Sequence, residues 1–216
     1  SHSSFWIAVM TNNSTEQTIE EEIIKLKGQW VHWAERFSVD TLHQRDERIR
    51  SEVKAVLDQV EASDLGECRM FFCLLCVFAR KQTINRTNLG TVKKHFAIAR
   101  LLNILPEFDN RAKESIERVL KLDPLNHEAW TLLGEQCWRM AIEGKGNPKK
   151  PFDGMIQAKR NFEESLKKKK NVQALCNLSM LLRSYPPAKN SKEKYDNLQL
   201  SVQKAKEAVI LGKMPS

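Results

Sequence analysis

Glycine and proline are scarce in this chain, at 8 and 7 of its 216 residues. That excludes collagen-like order and argues against a long disordered linker. Long apolar runs are missing too: no stretch reaches the roughly 18 to 20 apolar residues that would span a bilayer. The N-terminal SHSSFWIAV has an apolar patch, but no basic region precedes it and the patch is too short for a secretory signal. There are only 5 cysteines, an odd number without a disulfide-like framework, which points to a reducing compartment. Phosphate loops (G-x-x-x-x-G-K-[ST]), dinucleotide fingerprints (G-x-G-x-x-G), nucleophile elbows (G-x-S-x-G) and H-E-x-x-H zinc helices are all absent. These absences remove the familiar enzyme classes, and the chain is read as non-enzymatic.

Charge, by contrast, is plentiful. Charged residues make up 29% of the chain and hydrophobic ones 41%, an ordinary globular balance, and the net charge is +8. Such an excess suits an acidic partner such as RNA or an acidic peptide, or simply a solvated basic surface. Cys73 and Cys76 form a C-x-x-C, but no second pair or histidine set follows at zinc-ligand spacing and no βαβ context surrounds it. They are read as buried apolar thiols. His32, His43, His95 and His127 stand singly on helical segments. Neither a metal nor a cofactor is expected. The first Met is Met10, so residues 1–9 are read as a tag remnant or part of an incomplete reading frame.

Residues 1–16 are polar and small and are expected to be disordered. Two apolar stripes follow over 17–62. Ile23, Leu26, Trp30, Trp33 and Phe37 step by 3 or 4, and so do Ile49, Val53, Val56 and Val60. With a turn near Ser38–Asp40 they make an N-terminal helical pair. Residues 63–94 break the pattern as an atypical inserted segment. Cys68 to Ala79 is apolar almost all round, and RKQTINRTNLG after it is polar. The segment is either a buried helix with a loose polar tail or a piece foreign to the fold.

The most informative stretch is VLKLDPLNHEAWTLLGEQCW, residues 119–138. It carries the pattern W-x2-L-G-x2-Y as Trp130, Leu133, Gly134 and Cys137, with Cys in the aromatic position and Pro124 six residues before Trp130. This is the join between two tetratricopeptide repeats. Each repeat is a helical hairpin that cannot bury its apolar face alone, so hairpins stack into a solenoid with a concave groove. The expected fold is all-α: hairpins stacked in a short solenoid over 95–216, incomplete at its C-terminal end. Ile98, Ala99 and Leu102 are expected on a first helix, with Ala112, Ile116 and Val119 on its partner. Trp130 is expected inside the stack, followed by a loop from Glu143 to Gly154 and a helix with Ala158, Phe162 and Ser165. Leu175, Leu178, Ser179 and Leu182 open a third repeat. After a loop from Ser184 to Lys194, its second helix carries Ser201, Ala205 and Ala208 inside.

Two groups of residues are candidate sites. Asn177 and Arg183 are polar residues on a first helix, the kind that lines the groove. There an Asn can bond a peptide backbone and an Arg can clamp a carboxylate in a bidentate fork. Lys167, Lys168, Lys169 and Lys170, together with Lys145, Lys149 and Lys150 of the loop, could form one basic rim for phosphate or acidic tails. The plainer reading of the lysine run is a helix end that favours cations.

The segments AKESIERVLKLDPLNHEAWTLLGEQCW, NVQALCNLSMLLRSY and SVQKAKEAV, with IIKLKGQWVHWAERFSVDTLHQRDERIRSEVKAVLDQVE before them, resemble the family of tetratricopeptide repeat protein five, also called Strap. The similarity covers about 20–62 and 95–211, and NLSMLLR is its most specific part. The resemblance implies an adaptor that binds the N-terminal peptide of nascent tubulin at the ribosome and promotes decay of tubulin messages. It implies a cytoplasmic location, with a nuclear stress-response coactivator scaffold as the alternative role. Within that motif the family's peptide-contacting Arg falls at Arg183. Residues 63–94 exceed what the family has there. Its later repeats and its OB-like domain, with further acidic peptide contacts and basic ribosome contacts, lie beyond this sequence. The implied partners are a tubulin N-terminal peptide and the ribosome or other proteins, not a membrane or a small-molecule substrate.

Overall fold

Apolar residues at steps of three and four, with few breakers between them, give helices throughout the computed structural model, which describes residues 17–28, 42–63, 86–146, 152–184 and 191–213. Residues 17–28 are helical (α1). They are followed by α2 (Leu42–Ala62), α3 (Arg86–Leu102), α4 (Asn110–Leu122), α5 (His127–Ile142), α6 (Asp153–Lys168), α7 (Val172–Ser184) and α8 (Ser191–Gly212). Among the described residues there is no strand, so the all-α expectation holds. The expectations for residues 1–16, the turn at 38–40 and the Cys68–Ala79 run with its C-x-x-C lie outside the described residues. The chain divides into two compact units, 1–105 and 106–216.

In the first unit, Ile49, Val53, Val56 and Val60 are all buried, as their spacing requires, and so is Ile23. α3 packs on α2. Lys94 Nζ donates to the carbonyls of Glu61 and Ser63 at 2.9 and 3.2 Å, so a cation closes the carbonyl end of α2. Arg100 bonds Glu20 of α1 and lies 5.7 Å from the centre of the Phe96 ring. Within the described residues α3 begins at Arg86, and the second compact unit begins at Pro106. The run NRTNLGTVKK is polar but contains no proline, and Gly90 is its weakest helix former. A helix held by buried Ile98, Ala99 and Leu102 extends back through it at low cost.

In the second unit α4 packs on α5, α5 on α6, α6 on α7 and α7 on α8, while α5 also meets α7. This is the neighbour pattern of stacked hairpins. α5/α6 and α7/α8 are two repeats, and α4 packs on α5 ahead of them. The starts of the helices are fixed by side-chain caps. Asp109, Asn126 and Asn171 each accept a backbone N–H three residues on, from Ala112, Ala129 and Ala174, at 3.1, 3.0 and 2.7 Å. Each cap stabilises its helix by about 1 kcal/mol. α4 is further tied to α5 because the Asp109 N–H donates to the fully buried Gln136 Oε1 at 3.1 Å.

Small residues set the crossings. A Cβ at Gly134 would stand 2.5 Å from the Phe162 ring, so only glycine lets α5 approach α6 this closely while Phe162 fills the core. In the next repeat Ser179 holds the matching place, and its partner is another serine. Ser179 Oγ donates to the Ser201 carbonyl at 3.0 Å, and Ser201 Oγ donates to the Ser179 carbonyl at 2.9 Å.

Two residues expected inside are not enclosed. Trp130 is half-buried in the first turn of α5, where its indole N–H donates to the Pro124 carbonyl at 2.9 Å. An indole needs a polar partner, and the turn supplies one at the surface. Leu175, at the matching place in α7, has no such need and is buried. Ala205 of α8 is exposed. The helix starts also differ slightly from expectation, with α6 beginning at Asp153 and α8 at Ser191.

Candidate functional site

α5 and α7 are the first helices of successive repeats, and they open alike. Asn126 and Asn171 cap them, Ala129 and Ala174 sit three residues on, Leu133 and Leu178 four later, then Gly134 and Ser179. The turns are held by one polar cluster. Ser165 Oγ lies 2.8 Å from Thr131 Oγ, donates to the His127 carbonyl at 2.6 Å, and accepts from Asn171 Nδ2 at 3.0 Å. These bonds fix where the two first helices begin relative to each other. Side chains at matching depths then meet across them.

They meet at Glu135. Asn177 Nδ2 donates to Glu135 Oε1 at 2.6 Å, and Gln173 Nε2 donates to the same oxygen at 3.1 Å. Gln173 and Asn177 are one turn apart on α7 and themselves lie 3.5 Å apart. The carboxylate is therefore held by two neutral amides from the neighbouring repeat. One turn beyond Glu135, burial pulls the Arg139 guanidinium below its ordinary pKa, while the carboxylates of Glu135, Glu107 and Glu143 pull the other way. An arginine keeps its charge through such shifts. The face shared by α5 and α7 thus carries charged and hydrogen-bonding groups, while Leu132, Leu133, Leu178 and Leu181 of the same two helices are buried.

Asn177 is buried where α5 meets α7, 5% exposed, with its amide on Glu135. Arg183 is exposed in the last turn of α7, three residues after Met180, which is 41% exposed. Asn177 and Arg183 are six residues apart, about 9 Å along the helix and about 120° around it. They bracket the face rather than touch. Glu135, Arg139 and Gln173 were missed by sequence reasoning. Their signal was present as two i,i+4 polar pairs, Glu135/Arg139 and Gln173/Asn177, on first helices.

The described lysines of the expected basic rim fall into two groups. Lys145 lies past the C-terminal end of α5, beside the start of α6, whereas Lys167, Lys168, Lys169 and Lys170 lie at the other end of α6. That helix has 16 residues, so the two groups are about 24 Å apart. Lys149 and Lys150 lie outside the described residues. Lys145 Nζ is 2.7 Å from Glu143 Oε2 and 5.9 Å from the centre of the Phe108 ring. Burial pushes the Glu143 carboxyl up, but Lys145 and the Phe108 N–H more than offset it and hold the group below its ordinary range. Lys167 pairs with Glu164 at 2.6 Å, both at the surface. The run at 167–170 closes the negative end of α6, as the plainer reading has it.

Cys137, in the position usually held by an aromatic, is enclosed between α5 and α6. Burial pushes its thiol up to about 11. Asn161 Nδ2 donates to its sulfur at 3.5 Å. A protonated, covered thiol is a packing group, not a nucleophile. Among the described residues no three His, Cys, Asp or Glu side chains gather as metal ligands, and no helix is long and apolar enough to cross a membrane.

No family model matches the chain. It is similar to Tetratricopeptide repeat protein 5 of Bos taurus, with 26% identity over 167 residues, covering 77% of this chain and 30% of that protein. It is also similar to Tetratricopeptide repeat protein 5 of Homo sapiens, with 34% identity over 82 residues, covering 38% of this chain and 16% of that protein. The chain thus spans less than a third of the curated relatives it matches. These matches agree with the resemblance carried by NLSMLLR and support a family like that of Tetratricopeptide repeat protein 5. With the stacked hairpins they make the chain a tetratricopeptide-type protein-interaction module.

Proposed function

We propose that this chain is a non-enzymatic adaptor that holds a short extended peptide along the face shared by α5 and α7. The observation that carries the reading is the bond from Asn177 to Glu135 at 2.6 Å. It brings the first helices of two successive repeats into one polar surface, with Arg183 exposed at its flank. The exposed Gln173 amide suits a peptide backbone, with the buried Asn177 holding Glu135 beside it, and a guanidinium suits a peptide carboxylate. The mixed charge of the face, with Glu135 and Arg139 at one side and Arg183 at the other, favours a ligand bearing both signs.

The finer identity of the ligand comes from the family resemblance. By that resemblance the peptide is the N-terminus of nascent tubulin, met at the ribosome in the cytoplasm, and the outcome is decay of tubulin messages. The test is calorimetry of the chain with a peptide beginning Met-Arg-Glu-Ile and with its Met-Arg-Gln-Ile counterpart. The first should bind, and loss of its carboxylate should weaken binding about tenfold or more. Equal affinity for both, or none for either, would remove the proposed reading of the peptide carboxylate.

A further inference from the structure

Two turns of the second unit, α4–α5 and α6–α7, do the same structural work with opposite charge. Asn126 caps α5 and Asn171 caps α7, each accepting the N–H three residues on. Counted from these caps, Leu122, Asp123, Pro124, Leu125 and Glu128 stand where Lys167, Lys168, Lys169, Lys170 and Gln173 stand in the second turn. Residues 121–128 carry a net charge of −1, Lys121 against Asp123 and Glu128, whereas residues 166–173 carry +4. Both turns launch their helices in the same way, so the junction does not require the lysines.

Helix ends account for only part of the run. Lys167 and Lys168 lie in the last turn of α6, where a cation is favourable, and Lys167 is paired with Glu164. Lys169 is the C-cap of α6. Lys170 stands directly before Asn171, at the positive end of α7, where a cation is unfavourable. α5 has Glu128 in its first turn to offset that end, and α7 has no acid there. Lys168, Lys169 and Lys170 are exposed and form no ion pair among the described residues. Lysines that repel one another and the helix start behind them leave a local positive surplus, which a bound anion relieves.

The same edge selects the anion. Ser165 Oγ donates to the His127 carbonyl at 2.6 Å, so the lysine turn lies beside the start of α5. Asp123 and Glu128 flank that start. A nucleic-acid strand laid along the edge would run from the positive turn onto these two carboxylates, which repel its phosphates. A short cluster of carboxylates meets the lysines alone. We infer that the turn at Lys167–Lys170 docks a short acidic segment of a partner protein, with several Asp or Glu residues in succession. Arg183 lies at the far end of the 13-residue α7, about 20 Å away. The inference therefore does not rest on the peptide reading of the α5 and α7 face.

The experiment uses the whole 216-residue chain and three labelled probes: a peptide with a run of Glu residues, its Gln counterpart, and a short single-stranded RNA. Anisotropy at low salt should show the Glu peptide binding about tenfold more tightly than the Gln peptide, the sum of two or three exposed ion pairs. The preference should shrink as salt rises. The double variant Lys169→Glu with Lys170→Glu should lose that preference with helicity unchanged, because both side chains are exposed. Lys169→Gln with Lys170→Gln is the milder pair should the reversed charge disturb the start of α7. Lys192→Glu with Lys194→Glu makes the same change in net charge at the start of α8, again on exposed residues, and should leave the preference in place. Equal affinity for the Glu and Gln peptides, or a preference that survives both changes at 169 and 170, would overturn the inference. Equal losses from the pairs at 169/170 and 192/194 would overturn it too, since only net charge would then be at work. So would tighter binding of the RNA than of the Glu peptide through Lys169 and Lys170, since the occupant would then be a nucleic acid.

Discussion

Replacing Gly134 by alanine reports how tightly the repeat is packed. The added methyl would meet the Phe162 ring at 2.5, 2.6 and 3.0 Å, well inside the carbon contact distance of about 3.5 Å. The ring is fully enclosed and has nowhere to turn. In an open helix the same change would stabilise by about 1 kcal/mol through helix propensity. Overpacking a core costs about 1 to 3 kcal/mol. The clash therefore offsets or exceeds the propensity gain, and the expected result is a net loss of about 0 to 2 kcal/mol. The decisive comparison is a double-mutant cycle with Phe162→Leu, which removes the ring edge. In that background Gly134→Ala should become stabilising, giving a coupling of about 1 to 3 kcal/mol. Urea unfolding followed by circular dichroism supplies the four free energies. A Gly134→Ala chain that is about 1 kcal/mol more stable than the parent, or a coupling under about 0.5 kcal/mol, would refute the close crossing of α5 and α6.

Asn171→Ala should lower stability more than Asn126→Ala. Both lose a cap of about 1 kcal/mol, but Asn171 also donates to the buried Ser165 hydroxyl, and urea midpoints would rank them. The raised Cys137 pKa carries a pH signature. An ordinary thiol titrates at 9.0 and the folded one at about 11, so its stabilisation is complete below pH 9 and falls between pH 9 and 11, by about 1 kcal/mol at pH 10. The stability difference between the parent and Cys137→Ala should shift by that amount over the window, and native Cys137 should resist alkylation at pH 8. Arg183→Ala should weaken an acidic peptide about tenfold to a hundredfold, and Arg183→Lys should recover only part of it, because a point charge lacks the planar fork. Calorimetry on three equally helical proteins decides this.

Most of the repeat array was legible because its determinants are local. Turn chemistry at Asp123-Pro124 and Asn126, small residues at Gly134 and Ser179, and leucines at helical spacing state the hairpins directly. The misplacements had physical causes. Trp130 was assigned to the interior by hydrophobicity, whereas its N–H drew it to the Pro124 carbonyl. That α3 reaches back to Arg86 cannot be seen in local composition, because its support is tertiary. For the candidate site, Asn177 and Arg183 were singled out by polarity on an apolar helix. Glu135 was not, because its role depends on which helix stands opposite, and that is set by stacking across 42 residues of sequence. The separation of Lys145 from Lys167 is likewise hidden in the sequence, because the whole of α6 lies between them.

The central claim is that a peptide lies on the face of α5 and α7. Its most direct test is a titration of 15N-labelled chain with the Met-Arg-Glu-Ile peptide, followed by amide and side-chain shifts. The account predicts that the largest changes fall on Glu135, Arg139, Gln173, the Asn177 side-chain amide, Met180 and Arg183, while Tyr195, Leu198 and Val202 of α8 stay still. Shifts concentrated on α8 or on Lys167–Lys170, with the Asn177 amide unmoved, would contradict it.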